Sequence, residues 1–463
     1  MKTAFVTGLF LFHFALLAAT GSGIDRQALV TRHHPTLQSL DVENPFSVGN
    51  GEFAFTADVT GLQTFAEAFT NTTPLGTLSQ WGWHSFPNPE GWSNTKFQHK
   101  EFDVFGRKVG YNDVPRNIQT PEIKWLRGNP HRLHLGQIGF ILTKPDGSLA
   151  QTNDLTGVKQ TLDMWNGVIN SRFAFAGETV EVQTICHPER DLIAVRIVSP
   201  LLKSGRAKVQ FHFPYGTGAT ITADWTKPDA HGTALDPSGS NQARFRRKLD
   251  NDSYVASASW SSGARLTEVA KHRFELSAGS KAKELEFVIE FSPRQSKENV
   301  PTFARTKAAA SKHWNTFWKS GGAIDLSGST DPRWRELERR IVLSQYLTAI
   351  QCSGTLPPQE TGLTYNTWEG KFHLEMHWWH SAQFALWNRL PMLERSLGYY
   401  DTTLAAAKTN AQRQGYTGAR WSKMTDPTGI DAPSPIGPFL IWQQPHPIFY
   451  AELVYRQNPK RAT

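Results

Sequence analysis

Between Asn366 and Trp387 the chain reads NTWEGKFHLEMHWWHSAQFALW, which places four tryptophans, three histidines and two glutamates within 22 residues. The mixture is too polar for an ordinary core helix and too aromatic for a solvated face. It does suit a ligand with flat C–H faces and a rim of hydroxyls, because rings cover the faces while carboxylates, imidazoles, amides and guanidinia bond the rim. A saccharide is such a ligand. On a helix starting near Glu375, residues Glu375, Trp378 and Trp379 share one face at i, i+3 and i+4, with His377 in the same neighbourhood.

Two further aromatic–polar clusters follow: Gly415 to Lys423 (GYTGARWSK) and Ile441 to Pro447 (IWQQPHP). All three sit at or near predicted helix ends or loops, where sites are usually built. The candidate sugar-binding residues are therefore Trp368, Glu375, His377, Trp378, Arg420, Trp421, Gln443 and His446, with Glu375 as the one candidate catalytic carboxylate. Against this stand ordinary structural roles. Phe384, Leu386 and Trp387 read as core, one of the adjacent Trp378 and Trp379 must point inward, and an isolated histidine is more often a hydrogen-bonded core residue than a catalyst. Glu369, Glu375, Asp426 and Asp431 are individually unremarkable. The pair His373/His377 lies in H-L-E-M-H, not the H-E-x-x-H of a zinc helix, so no metal is expected. Nucleophile elbow, phosphate loop and dinucleotide fingerprint are all missing, and no cofactor is implied.

The elements that position these residues change character along the chain. From about Ile24 to Arg294 the apolar residues alternate. Leu285, Phe287, Ile289 and Phe291 fall on one face, as do Val209, Phe211 and Phe213, and Thr179 to Cys186 behaves likewise. Period two between Gly, Pro, Asn and Asp clusters predicts antiparallel sheets in a large sandwich. The period becomes helical over Thr302 to Trp318, with Phe303, Ala310, Trp314 and Phe317 on one stripe, meant to lie between the two parts of the chain. Asp331 and Pro332 start another helix, whose stripe is expected to be Trp334, Leu337 and Ile341. Helical patterns follow at about Glu375–Trp387, Pro391–Gln414 and Pro438–Arg456. The predicted domains are a signal peptide (1–23), a β-sandwich (24–300), a linker helix (301–330) and a helical region (331–463).

The first 23 residues, with Lys2 ahead of an apolar run and small residues Ala19, Gly21 and Gly23 behind it, read as a secretory signal. The run is shorter than a membrane span needs, and no later segment is long enough, so the expectation is an extracellular protein without a membrane span after cleavage. The sequons at Asn71 and Asn251 accord with secretion. Cys186 and Cys352 could pair in an oxidising compartment or remain buried thiols. The formal charge is +8 with pI near 9.3, yet the densest basic run is only Arg244 to Lys248 (RFRRK), and without a basic stripe or known module no nucleic-acid partner is expected. Oligomeric state is not legible.

The order of parts resembles the (α/α)6 six-hairpin glycosidases of glycoside hydrolase family 65, which include maltose and kojibiose phosphorylases and acid trehalases. In the β part the similarity rests on Asn44 to Phe55 (NPFSVGNGEFAF) and Leu162 to Val168 (LDMWNGV). In the helical part, Gly370 to His377 (GKFHLEMH) occupies the place of the family's G-H-x-F-W-D-T-E, and Gly415 to Trp421 is similar to its G-Y-x-G-A-x-x-P-W. By that correspondence Glu375 replaces a sugar-binding Asp and His377 replaces a Glu. The resemblance implies an N-terminal super-sandwich, a linker helix and a six-hairpin toroid. It also implies a glycosidase of inverting type, in which one carboxylic acid protonates the glycosidic oxygen while a base activates water. A phosphorylase is disfavoured for a secreted protein, since phosphate is scarce outside cells. Twelve helices need on the order of 200 residues, more than lie beyond Asp331. The toroid is therefore expected to be partial, without the half that carries the family's general acid. A non-catalytic carbohydrate-binding or scaffold protein is the alternative.

Overall fold

The computed structural model describes residues 23–296 and 298–461; the signal-peptide reading lies almost wholly outside them. The N-terminal region is sheet-rich and the C-terminal region helical. Among the described residues a nine-stranded antiparallel sheet runs from Thr36–Leu37 at one edge, through Leu192–Val198 and Glu284–Ser292 at its centre, to His231–Gly239 at the other. A four-stranded sheet of Arg265–Ala270, Arg273–Ser277, Ala207–His212 and Gln137–Leu142 covers one face. The alternation explains the packing. Phe211 of the smaller sheet meets Phe245 and Phe287 of the larger at 6.0 and 5.6 Å between ring centres, and Phe274 meets Phe245 at 4.8 Å. Leu285, Phe287, Ile289 and Phe291 are all buried. Two short helices, Arg26–Thr31 and Pro121–Gly128, interrupt this otherwise β region.

The helix Phe303–Lys319 starts at Thr302, whose hydroxyl accepts from Arg305 N. Its buried Phe303, Trp314, Phe317 and Trp318 join the sandwich core, and Trp314 lies 4.6 Å from Tyr346 of the next helix, Trp334–Cys352. That second helix is rotated from the expected stripe. Leu337 is 54% exposed, and the buried face is Val342, Tyr346, Ala349 and Ile350. The cause is Glu338, fully buried to accept from Arg32 Nε at 2.7 Å and Leu326 N at 2.5 Å and to meet His33 Nε2 at 2.6 Å.

The expected helix Glu375–Trp387 is three pieces: an α-turn Leu374–His377, a π-turn Trp378–Ala382 and an α-turn Gln383–Leu386. The π-turn resets the register. It brings Phe384 into a second core with Phe372, Leu393, Tyr399, Tyr400 and Tyr450, while Leu386, expected inside, is 74% exposed. Trp387 is half-buried. The pattern Pro391–Gln414 divides at Thr403 into Leu390–Thr402 and Leu404–Arg413, and the last helix is His446–Gln457. Cys186 and Cys352 are both free and buried. Asn71 and Asn251 are exposed. Among the described residues no helix is long and apolar enough to cross a membrane.

Candidate functional site

The site is built on a turn that ordinary residues avoid. Trp368, Glu369 and Gly370 have φ of 52°, 57° and 78°, three left-handed residues in succession, and two of them carry side chains. Such conformations cost of order 1–3 kcal/mol each and persist only when their surroundings hold them. A Cβ on Gly370 would sit 2.6 Å from the Arg132 Cβ, so only glycine fits. Arg132 Nη2 donates to Gly370 O at 3.2 Å. The next residue, Lys371, is buried and donates to Arg127 O at 2.9 Å and Asn129 O at 3.0 Å, at the carboxyl end of the helix Pro121–Gly128. A cation among exposed helix-end carbonyls is favourably placed. The β-rich region thus clamps the turn.

Beyond Lys371 the chain pairs Phe372–His373 antiparallel with Met424–Thr425, and Leu374 N donates to Lys423 O at 2.8 Å. This short ladder sets Lys423 against Glu375, with Nζ 2.8 Å from Oε1. The same ammonium donates to His373 Nδ1 at 3.0 Å. An ammonium can only donate, so Nδ1 is the acceptor and the ring proton sits on Nε2. Burial works against ionisation of Glu375, but His373 and Lys423 outweigh it and hold the carboxyl below its ordinary value. His373 is fully buried and Glu375 is 5% exposed, yet His373 Nε2 and Glu375 Oε2 have no partner. The Trp368 ring lies 6.0 Å from the His373 ring and is 43% exposed. Lys423 Nζ and the Arg116 guanidinium lie 5.9 and 5.6 Å from its centre. Burial above all pushes the His380 ring down to about 4. On the turn itself, burial raises the Glu369 carboxyl, against the opposing charges of Lys371 and Arg127.

The other sequence candidates divide. Trp378 stacks on Trp379 (5.9 Å, 16°) and packs on Phe449 and His446 at 4.8 and 5.4 Å. His446 Nδ1 donates to Leu374 O at 3.2 Å, which places it beside the first turn that carries Glu375. His377 is core. Its Nδ1 is 3.0 Å from Tyr400 Oη and its Nε2 2.8 Å from Ser396 Oγ, so neither nitrogen is left for a ligand, and burial first of all pushes it down to about 3. Trp421 packs on Tyr400 at 5.5 Å and donates from Nε1 to Thr403 Oγ1 at 3.1 Å. Gln443 Nε2 donates to Leu440 O at 2.9 Å and to Trp421 O at 3.3 Å. Arg420 turns to Pro438 O at 2.6 Å, to Gln414 and to the Tyr111 ring. Glu375, Trp368, Trp378 and His446 thus share one neighbourhood, and Trp421 and Gln443 buttress it. Arg420 instead ties the second cluster, Gly415 to Lys423, to the β region through Tyr111.

Sequence reasoning missed His373, Lys423, Glu369, Lys371 and Arg116 as site residues. Lys423 was within reach, since it closes the cluster that holds Trp421. Arg116 offered no signal, lying about 250 residues from Trp368 in sequence. Together the group offers an exposed flat ring, a buried acceptor and a buried donor, and a hydroxyl can both donate and accept.

No family profile matches the sequence, and no curated protein matches it. Among solved structures, a protein assigned as a kojibiose phosphorylase from the human microbiome is similar over 90% of this chain and 55% of its own, with 10% identity and a TM-score of 0.62. A bacterial glucoamylase complexed with acarbose covers 91% of this chain and 57% of its own at 11% identity, with a TM-score of 0.49. At these identities the first likeness is one of fold. The chain spans about half the length of either structure.

Proposed function

We propose that this chain is a secreted carbohydrate-active protein of the glycosidase kind, its helical region belonging to a six-hairpin (α/α)6 array. The carrying observation is the partnerless pair His373 Nε2 and Glu375 Oε2 beside the exposed Trp368 ring. Buried polar groups nearly always have partners, and a sugar stacked on Trp368 brings hydroxyls that supply both. The fold shared with a kojibiose phosphorylase supports the same reading. Extracellular placement rests on the N-terminal 23 residues, with the exposed Asn71 and Asn251 as the proposed glycosylation sites.

In this proposal the carboxyls take opposite roles. Glu375, kept ionised, binds sugar hydroxyl or serves as base. Glu369, whose burial favours the protonated form, is the acid that protonates the glycosidic oxygen. Environments that push two carboxyls apart in this way separate acid from base, and inversion of the anomeric centre is the expected outcome. The non-catalytic reading keeps one favourable observation, that Glu375 is locked in an ion pair with Lys423. Calorimetric titration with a panel of oligosaccharides, followed by proton NMR of any released reducing sugar, tests both. Binding with release of the inverted anomer supports the hydrolase, binding without release leaves the binding protein, and no binding by any saccharide sinks the proposal.

A further inference from the structure

We propose that the saccharide taken by this site is acidic, a uronic-acid residue stacking on Trp368 with its carboxylate on the guanidinium of Arg116. This rests on the carbohydrate reading above and adds the substrate class to it.

The charge balance around the ring points this way. Of the cations near Trp368, Lys423 is matched by Glu375 at 2.8 Å. Arg116 is not matched. It is exposed, and among the described residues its side chain makes no hydrogen bond or ion pair, only the contact at 5.6 Å to the indole centre. Its charged neighbours include a second guanidinium, that of Arg127, on which the charge of Arg116 acts unfavourably. Arg127 cannot turn away. Its donors are fixed on Val114 O at 2.7 Å, Pro433 O at 3.0 Å, Ile118 O at 3.1 Å and Pro115 O at 3.2 Å, all neutral carbonyls. Among the described residues, Glu369 is the carboxylate whose charge acts on Arg127. A partnerless guanidinium beside an exposed ring, with a second guanidinium among its charged neighbours, leaves a local positive excess that a neutral sugar does not use and an anion does.

The shape of the excess narrows the anion. A guanidinium presents a planar fork that fits a carboxylate with two parallel bonds. A uronate carries its carboxylate on C5, at the rim of the pyranose. Laying the pyranose on Trp368 therefore brings the carboxylate out beside the indole, where Arg116 waits. Arg116 and Lys423 lie over the ring at 5.6 and 5.9 Å from its centre, and Trp368 remains 43% exposed.

The test is calorimetry on the full secreted chain with trisaccharides, short enough to avoid general polyanion binding. The acidic set is trigalacturonate, triglucuronate and trimannuronate. The neutral set is maltotriose, cellotriose and mannotriose, and inorganic phosphate serves as competitor. At least one acidic trisaccharide is expected to bind about tenfold or more tighter than every neutral one, a charge-assisted bond being worth roughly that factor. Arg116→Gln should remove about that tenfold for the acidic ligand and leave neutral affinity unchanged, while Trp368→Ala weakens both. Thermal melts confirm that both variants fold. Neutral ligands binding as tightly as acidic ones, or Arg116→Gln leaving acidic affinity intact, overturns the proposal while the carbohydrate reading stands. Displacement of the acidic ligand by phosphate at equal affinity assigns the positive excess to free phosphate and also overturns it. No binding by any trisaccharide removes the carbohydrate reading and this inference together.

Discussion

Replacing Lys423 with Met tests whether the site's electrostatics are as described. The Lys423 and Glu375 side chains are 13% and 7% exposed, with 2.8 Å between Nζ and Oε1. Removing one partner of a buried pair costs about 3–5 kcal/mol, and the residual exposure of Lys423 places this case near the lower end, about 3 kcal/mol at pH 7. The pH dependence is the sharper reading. In the wild type the folded carboxyl lies below its ordinary value of 4.5, so its contribution is present above that pH and is lost only as pH falls through the depressed folded value. Without the ammonium, burial is opposed by His373 alone, and the folded value moves up. The penalty is then full at neutral pH and lifts as the carboxyl takes a proton on acidification. The gap between wild type and Lys423→Met should therefore narrow from pH 7 to pH 4, and Glu375→Gln added to Lys423→Met should recover most of it at pH 7. Urea unfolding followed by tryptophan fluorescence and by far-ultraviolet circular dichroism measures both. A gap that is the same at pH 4 and pH 7, or a double variant no more stable than the single, would refute the reasoning.

Glu369→Gln removes the proposed acid. Any hydrolytic kcat/KM should fall by about 10²–10⁴ and lose its alkaline limb, since a carboxyl raised by burial acts until pH climbs through its folded value; a variant that keeps the wild-type limb clears Glu369 of the role. Trp421→Ala is expected to act on stability more than on binding, costing about 3 kcal/mol because the ring packs on Tyr400 and bonds Thr403; an undiminished unfolding midpoint with lost sugar affinity would reverse that assignment. Cys186 and Cys352, fully buried, with burial pushing both thiols up and Cys352 to about 12, should resist iodoacetamide at pH 8 until denaturant is added, as mass spectrometry of intact and unfolded protein reports.

What could be read beforehand follows the range of the forces involved. Alternation placed Leu285, Phe287, Ile289 and Phe291 on one face because strand periodicity is local. The helix over Thr302 to Trp318 and its stripe through Trp314 and Phe317 were legible for the same reason. Leu337 was misplaced because the rotation of its helix is set by Glu338 reaching Arg32, His33 and Leu326 N, contacts that no window contains. The π-turn at Trp378–Ala382 is invisible to a reading with a 3.6-residue period and displaced Leu386 from the core. In the site, Trp368, Glu375, Trp378 and His446 were recognisable by residue type, but His377 looked the same by type and is held by Tyr400 and Ser396. The pairing of Phe372–His373 with Met424–Thr425, which brings Lys423 to Glu375, spans some fifty residues.

The β-rich region belongs to this site as much as the helices do. The turn that presents Trp368 is unfavourable by itself, and its restraints come from two buried cations with backbone carbonyls for partners. Arg132, 1% exposed and stacked 4.0 Å from the Trp83 ring centre, donates to Ser79 O at 2.7 Å and Gln80 O at 3.0 Å as well as to Gly370 O. Burial lowers its guanidinium to about 9. Lys371 makes the reciprocal reach, from the turn into the end of the helix Pro121–Gly128. A buried charge is expensive unless its donors find acceptors, so the carbonyls that each cation does bond are held in place. Strands near Ser79 and the helix near Arg127 therefore fix where Gly370 can lie, and through it the angle at which the Trp368 ring faces solvent.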